Sequence, residues 1–266
     1  MGVLMRVGIL QFSPVFGKKK INLDIIERLL KGVKADLIVL PELSVTGYLF
    51  TSMEEIQELS ETVPDGPSVE KFKEMSAKNN IHIVTGFLER YNDKFYNSAI
   101  LVYPSGEVKL YRKVHLFYEE KLYFEPGNLG FPVFSINNVK VGIMVCFDWV
   151  YPEAARSLAL KGAEVIAHPA NLVLPYCQDA MITRSIENRV FTITANRCGK
   201  DIKEDKILEF TGKSQIISPK GERLLDFSKN EEAVKVIDIE PQLARDKWIT
   251  KYNHLFKDRR TDMYNL

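Results

Sequence analysis

Apolar runs rich in β-branched residues recur along the chain at residues 7–12, 37–40, 81–86, 98–102, 139–146, 165–167, 190–195, 214–218 and 234–239. Each has the length and composition of a buried strand. Between several of them, the pattern turns helical over 22–34, 67–79, 152–161 and 178–188. Pro152 followed by Glu153 suits a first helical turn, where a proline loses no hydrogen bond and a carboxylate complements the dipole. Tyr91-Asn92-Asp93-Lys94 and Pro104-Ser105-Gly106 carry hairpin-turn chemistry.

The order of these patterns contains a short internal repeat. Val7-Gly8-Ile9-Leu10-Gln11-Phe12 leads through a helix to Leu37-Ile38-Val39-Leu40-Pro41-Glu42. Val141-Gly142-Ile143-Met144-Val145-Cys146 leads through a helix to Val165-Ile166-Ala167-His168-Pro169-Ala170-Asn171. Strand–helix–strand units make parallel neighbours with right-handed crossovers. Two such units point to an α/β fold of two sheets packed face to face, with helices outside. No Pro/Gly/Ser linker interrupts the chain, so residues 1–266 read as one domain. From about 242 to 266 the sequence is charged and aromatic without a strong period, and is expected to form a C-terminal arm.

Composition narrows the function classes. The chain is 45% hydrophobic and 27% charged, near the average for globular domains, and 266 residues bury a core without disulfide or metal staples. With a net charge of +1 and no basic stripe interleaved with aromatics, no nucleic-acid partner is expected. No apolar run approaches the ~20 residues that span a bilayer, so no membrane partner is expected. The N-terminal stretch reads as a first strand, not a signal peptide. Met1-Gly2 lacks a myristoylation signal, because position 6 is Arg6. Three cysteines, Cys146, Cys177 and Cys198, form an odd set without a leader, which points to a reducing, cytoplasmic compartment. None of the four histidines has metal-ligand spacing, and there is no Gly-rich phosphate loop, so no metal or cofactor is expected.

Three apolar strands end abruptly in polar residues: at Pro41-Glu42, at Cys146, and at His168-Pro169-Ala170-Asn171. Sites of α/β sheets gather at such strand ends. Cys146 lies shortly before a helix start, a position that would favour thiolate. Glu42 has the setting of a general base at a core rim. Lys113, in Leu110-Tyr111-Arg112-Lys113-Val114-His115, is a candidate to hold a developing oxyanion. Singly, each also admits a plain structural account: a small buried hydrophobe, an exposed strand-end acid, a snorkelling lysine. A Cys–His dyad with His115 or His168 is open on spacing alone.

Taken together, the segments resemble the nitrilase superfamily, the carbon–nitrogen hydrolases, from Val7 to about Tyr264. Leu40-Pro41-Glu42-Leu43 with Thr46-Gly47-Tyr48 looks like its glutamate block, Tyr111-Arg112-Lys113-Val114-His115-Leu116 like its lysine block, and Cys146-Phe147-Asp148 with Pro152-Glu153-Ala154-Ala155-Arg156 like its nucleophile block. The resemblance implies a four-layer α-β-β-α sandwich of two mixed sheets and a Glu42–Lys113–Cys146 triad. It implies a second glutamate, Glu120, with Glu119 adjacent as the alternative. It also implies that the Phe147 amide joins the oxyanion hole and that the Asn171 region lines the pocket. Tyr48, Phe117, Trp149 and Tyr176 lie near these blocks, as a small apolar mouth or as core. The implied activity is hydrolysis of small aliphatic amides or nitriles to ammonia and a carboxylic acid through a cysteine thioester, by a homodimer or higher homo-oligomer. Open alternatives are a nitrilase proper, acyl transfer to an amine, a silent binding scaffold, and a redox-sensing thiol protein.

Overall fold

Both strand–helix–strand units form, and they share a register. β1 (Met5–Gln11) and β2 (Leu37–Val39), joined through α1 (Lys19–Leu30), are parallel, with Val7 opposite Leu37 and Ile9 opposite Val39. β7 (Val139–Ile143) and β8 (Val165–Ala170), joined through α4 (Pro152–Leu160), are parallel, with Val141 opposite Val165 and Ile143 opposite Ala167. The computed structural model describes residues 4–203 and 205–264. The Met1-Gly2 start and the last two residues of the expected arm, Asn265 and Leu266, lie outside the described residues.

Each unit seeds one six-stranded mixed sheet. The first adds β3 (His82–Tyr91), β4 (Lys94–Val102), β5 (Val108–Arg112) and β14 (Ala233–Ile239), in the order β14-β1-β2-β3-β4-β5. The second adds β6 (Val133–Ile136), β9 (Phe191–Asn196), β12 (Gln215–Ile217) and β13 (Arg223–Asp226), in the order β13-β12-β9-β8-β7-β6. Side chains on the first sheet alternate between two cores, as the pleat requires. Leu37, Val39, Val84, Ala99 and Leu101 join the core shared with Val141, Ile143, Val165 and Ile193 of the second sheet. Ile38, Leu40, Ile83, Ile100 and Val102 turn outward onto α1 and α3 (Pro67–Asn79). α4 and α5 (Cys177–Asn188) cover the second sheet. The result is the α-β-β-α sandwich.

Several elements escape the apolar pattern. The β3–β4 hairpin extends past the apolar runs, pairing Arg90 with Phe95 and Tyr91 with Lys94 around the expected turn. The edge strands β5, β6 and β13 and the short helix α2 (Met53–Leu59) carry mixed sequences because only part of their surface is buried. The strand in the run at 139–146 ends at Ile143, followed by one more bond from Met144 N to Ala167 O, and Cys146 opens a short 3-10 turn instead of ending a strand. Beyond the turn Pro241–Ala244, the terminal segment is tied back to the chain. Lys247 Nζ donates to the Asn188 and Arg189 carbonyls at the end of α5, at 2.9 and 2.7 Å.

Candidate active site

Close backbone packing delivers the site residues. After β2 the chain stays beside β3, with Leu40 N donating to Val84 O and Gly86 N donating to Pro41 O. Gly86 makes that approach possible, because a Cβ there would overlap the Glu42 Cα and the Leu43 amide. Lys113 follows β5 directly; its amide donates to Asn97 O, and its carbonyl accepts from Gly127 N, both at 2.8 Å. Cys146 lies just past β7 with φ +42°, a left-handed conformation rare for a side chain with a Cβ and held only by surrounding contacts.

One ammonium joins two buried carboxylates. Lys113 Nζ donates to Glu42 Oε1 at 2.7 Å and to Glu120 Oε1 at 2.8 Å. Asn97 Nδ2 donates to the same Glu42 oxygen at 2.7 Å, while Glu42 Oε2 is buried without a partner. Tyr48 OH donates to Glu120 Oε1 at 2.6 Å, and Phe117 N donates to Glu120 Oε2 at 3.1 Å. Glu42 and Lys113 are both 0% exposed. Between the adjacent acids, Glu120 meets Lys113, whereas Glu119 turns out to pair with Lys206.

Charge is strongly coupled here. Burial opposes the Lys113 charge, but Glu120 and Glu42 outweigh it and hold the lysine above its ordinary pKa. Burial raises the Glu120 carboxyl; Lys113 pulls it down and Glu42 pushes it up. Burial also drives the Cys146 thiol well above its usual range, with repulsion from Glu42 added and Lys113 opposing. This direction runs against the helix effect expected to favour the thiolate. Desolvation favours the neutral thiol at this sulfur, so a base near it would assist its attack. Cys146 Sγ lies 3.9 Å from the Asn171 carbonyl, and both side-chain amide atoms of Asn171 are buried and unpartnered.

Asp148 ties these parts together. Its Oδ2 accepts from Tyr111 OH at 2.6 Å and Val145 N at 2.8 Å; its Oδ1 accepts from His115 N at 3.1 Å and His115 Nδ1 at 2.8 Å. One buried carboxylate thus clamps the cysteine turn to the lysine strand. His168 Nε2 donates to the Cys146 carbonyl at 3.0 Å, and burial lowers its pKa. Neither His115 nor His168 hydrogen-bonds the Cys146 sulfur. All three cysteines are unpaired; burial raises Cys177, and raises Cys198 to about 11.

A cavity of about 260 Å³ adjoins the cluster, with Tyr48, Phe117 and Glu120 in its wall. Cys146 is not in that wall; Val173, two residues past Asn171, and Phe117, whose ring centroid lies 5.0 Å from that of Phe147, connect the two. Trp149 packs half-buried against the second sheet's core, away from this wall, and Tyr176 is exposed. Among the described residues, no His/Cys/Asp/Glu group could hold a metal ion, and no helix is long and apolar enough to cross a membrane. Asn97, Gly86, Gly127 and the clamping role of Asp148 were not foreseen from sequence. Asn97 left one signal, a polar residue inside β4 directly before the run at 98–102.

Such a site can activate a thiol by a carboxylate and neutralise an oxyanion with an ammonium. The family description "Carbon-nitrogen hydrolase" matches residues 6–247. A nitrilase from Pyrococcus abyssi is 46% identical, covering 98% of this chain and 99% of that protein. An N-carbamoylputrescine amidase from Solanum lycopersicum is 32% identical, covering 99% and 94%. The crystal structure of a carbon-nitrogen hydrolase from Helicobacter pylori G27 superposes with a TM-score of 0.88 at 27% identity, covering 99% of this chain and 98% of that one. The chain belongs to the carbon-nitrogen hydrolase family.

Proposed function

We propose that the protein hydrolyses small aliphatic amides and nitriles through a thioester on Cys146. The observation that carries this reading is the half-free carboxylate of Glu42. One oxygen is fixed by Lys113 and Asn97, and the other is buried, unpartnered and available for a proton. Glu42 Oε2 accepts the Cys146 proton as sulfur attacks the amide carbon. Lys113 and the Phe147 amide stabilise the tetrahedral oxyanion; losing one such donor costs about 10²–10³ in rate. The proton on Glu42 passes to the leaving nitrogen, the C–N bond breaks, and ammonia departs. Glu42 then takes a proton from water as its oxygen attacks the thioester, and the acid leaves with the thiol restored. With a nitrile, sulfur first forms a thioimidate. Water adds to it, ammonia leaves, and the same thioester results. Glu120, bonded to Lys113 and Tyr48, holds the ammonium in place. The name of the Pyrococcus abyssi relative favours nitriles and that of the Solanum lycopersicum relative favours amides.

The test is ammonia release from a panel of small amides and nitriles, with Cys146→Ala in parallel and intact-mass detection of the acyl-enzyme. Ammonia that depends on Cys146, with an acyl adduct on the protein, is expected. Ammonia release that survives Cys146→Ala would overturn the mechanism. A panel with neither ammonia nor adduct would favour a scaffold.

A further inference from the structure

The cavity beside the cluster has a mostly apolar wall with one compensated charge pair in it. Phe50, Phe117, Phe124 and Leu208 supply apolar surface. Among the described lining residues, three carry charge: Glu119, Glu120 and Lys206. Glu120 is engaged by Lys113 and Tyr48. Glu119 comes from the turn Tyr118–Leu122 and Lys206 from β11 (Lys206–Glu209), which pairs with β10 (Lys200–Lys203) as a hairpin over this side of the site. Lys206 Nζ lies 2.9 and 3.0 Å from the two Glu119 oxygens, so both acceptors of the acid are taken by one ammonium. The pair stands at the rim, with side-chain exposures of 46% for Lys206 and 29% for Glu119.

We propose that the Glu119–Lys206 pair sets substrate choice, restricting the site to amides and nitriles whose acyl chain is apolar and uncharged at its far end. The proposal rests on the hydrolase reading above. An acyl chain ending in an ammonium finds Glu119, the acid among the described lining residues not held by the catalytic cluster, already paired with Lys206. A chain ending in a carboxylate finds Lys206 occupied by Glu119. Seating either one means competing with the pair and desolvating the ligand's own charge against aromatic and aliphatic wall, a penalty that works against the wrong ligand. A neutral chain buries apolar surface against the same wall with the pair intact. The carboxylate and ammonium thus act together as a neutral element of the wall.

Three matched substrates test this: pentanamide, its ω-amino derivative and its ω-carboxyl derivative, each assayed by ammonia release with the full chain. For the wild type, kcat/KM for pentanamide should exceed that for each charged amide by about tenfold or more, the equivalent of ~1.4 kcal/mol. Lys206→Gln frees Glu119, so the ratio of ω-amino to neutral kcat/KM should rise by roughly fivefold, the upper range for an exposed ion pair. Glu119→Gln should raise the ω-carboxyl ratio by a similar factor. Glu119→Lys combined with Lys206→Glu should return both ratios toward wild type, with melting curves confirming that each variant is folded. Wild-type ratios near one, or ratios that Lys206→Gln and Glu119→Gln leave unmoved, overturn the proposal while leaving the hydrolase reading standing. If the wild type hydrolyses none of the three and forms no acyl adduct on Cys146, the hydrolase reading and this proposal fall together.

Discussion

Replacing Lys113 by methionine removes the ammonium from between two buried carboxylates and keeps most of the side-chain volume. In the wild type, Lys113 donates to Glu42 and Glu120 at 2.7 and 2.8 Å with no solvent access. Removing one partner from a buried ionic cluster costs roughly 3–5 kcal/mol, which for a domain of this size is roughly 10 °C in Tm near neutral pH. The deficit has a defined pH dependence. The Glu120 carboxyl is already raised by burial, and Lys113 is the cation pulling it down. Without Lys113 its folded pKa rises further above the unfolded value of ~4.3. A carboxyl with a raised folded pKa contributes stability that is full below its unfolded pKa and is lost as pH rises through the folded one. The Tm gap between wild type and Lys113→Met should therefore shrink on acidification from about pH 8 to about pH 5. Scanning calorimetry of both proteins across that range measures it. A gap that stays flat, or widens in acid, would refute the picture of one ammonium neutralising two buried acids. In the same variant, amide turnover should fall by about 10²–10³.

Gly86→Ala forces a methyl group into the Glu42 and Leu43 backbone. It should cost about 1–3 kcal/mol and lower kcat by roughly 10²-fold through displacement of the base; a fully active Gly86→Ala enzyme would show that Glu42 need not be held so closely. Asp148→Asn replaces one of the two acceptor oxygens with an NH2 group, a donor that cannot accept from those facing it among Tyr111 OH, Val145 N and the two His115 nitrogens. Denaturant unfolding should give a loss of about 2–3 kcal/mol, and Cys146 should acylate more slowly in single-turnover mass spectrometry; an unchanged acylation rate would remove Asp148 from any role in setting the cysteine turn.

Local periodicity in the chain is sufficient for most of the interior. The runs at 37–40 and 165–167 are apolar at every position because both faces of a central strand are buried, and such runs can be read without knowing the partners. The repeat of Val7-Gly8-Ile9 by Val141-Gly142-Ile143 foretold two equivalent parallel pairs, and the registers agree. The three motif blocks around Glu42, Lys113 and Cys146 were picked out by the resemblance of the ordered set to a family; taken singly, a strand-end position left each with a plain structural account. Edge strands such as β5 and β6 were not, since half-buried backbone accepts mixed residues.

What only the tertiary structure decided is the set of contacts made across the sandwich. Glu42 and Lys113 are 71 residues apart in sequence, and nothing local states that one oxygen of Glu42 is bound and the other free. The upward push on the Cys146 thiol runs against the local expectation, because desolvation depends on what packs over the sulfur from distant segments. The partition of Glu119 to Lys206 and Glu120 to Lys113 was likewise undetermined in the chain. Two adjacent carboxylates are equivalent in sequence, and only the direction in which the turn presents each one sends the first to the rim and the second to the buried ammonium.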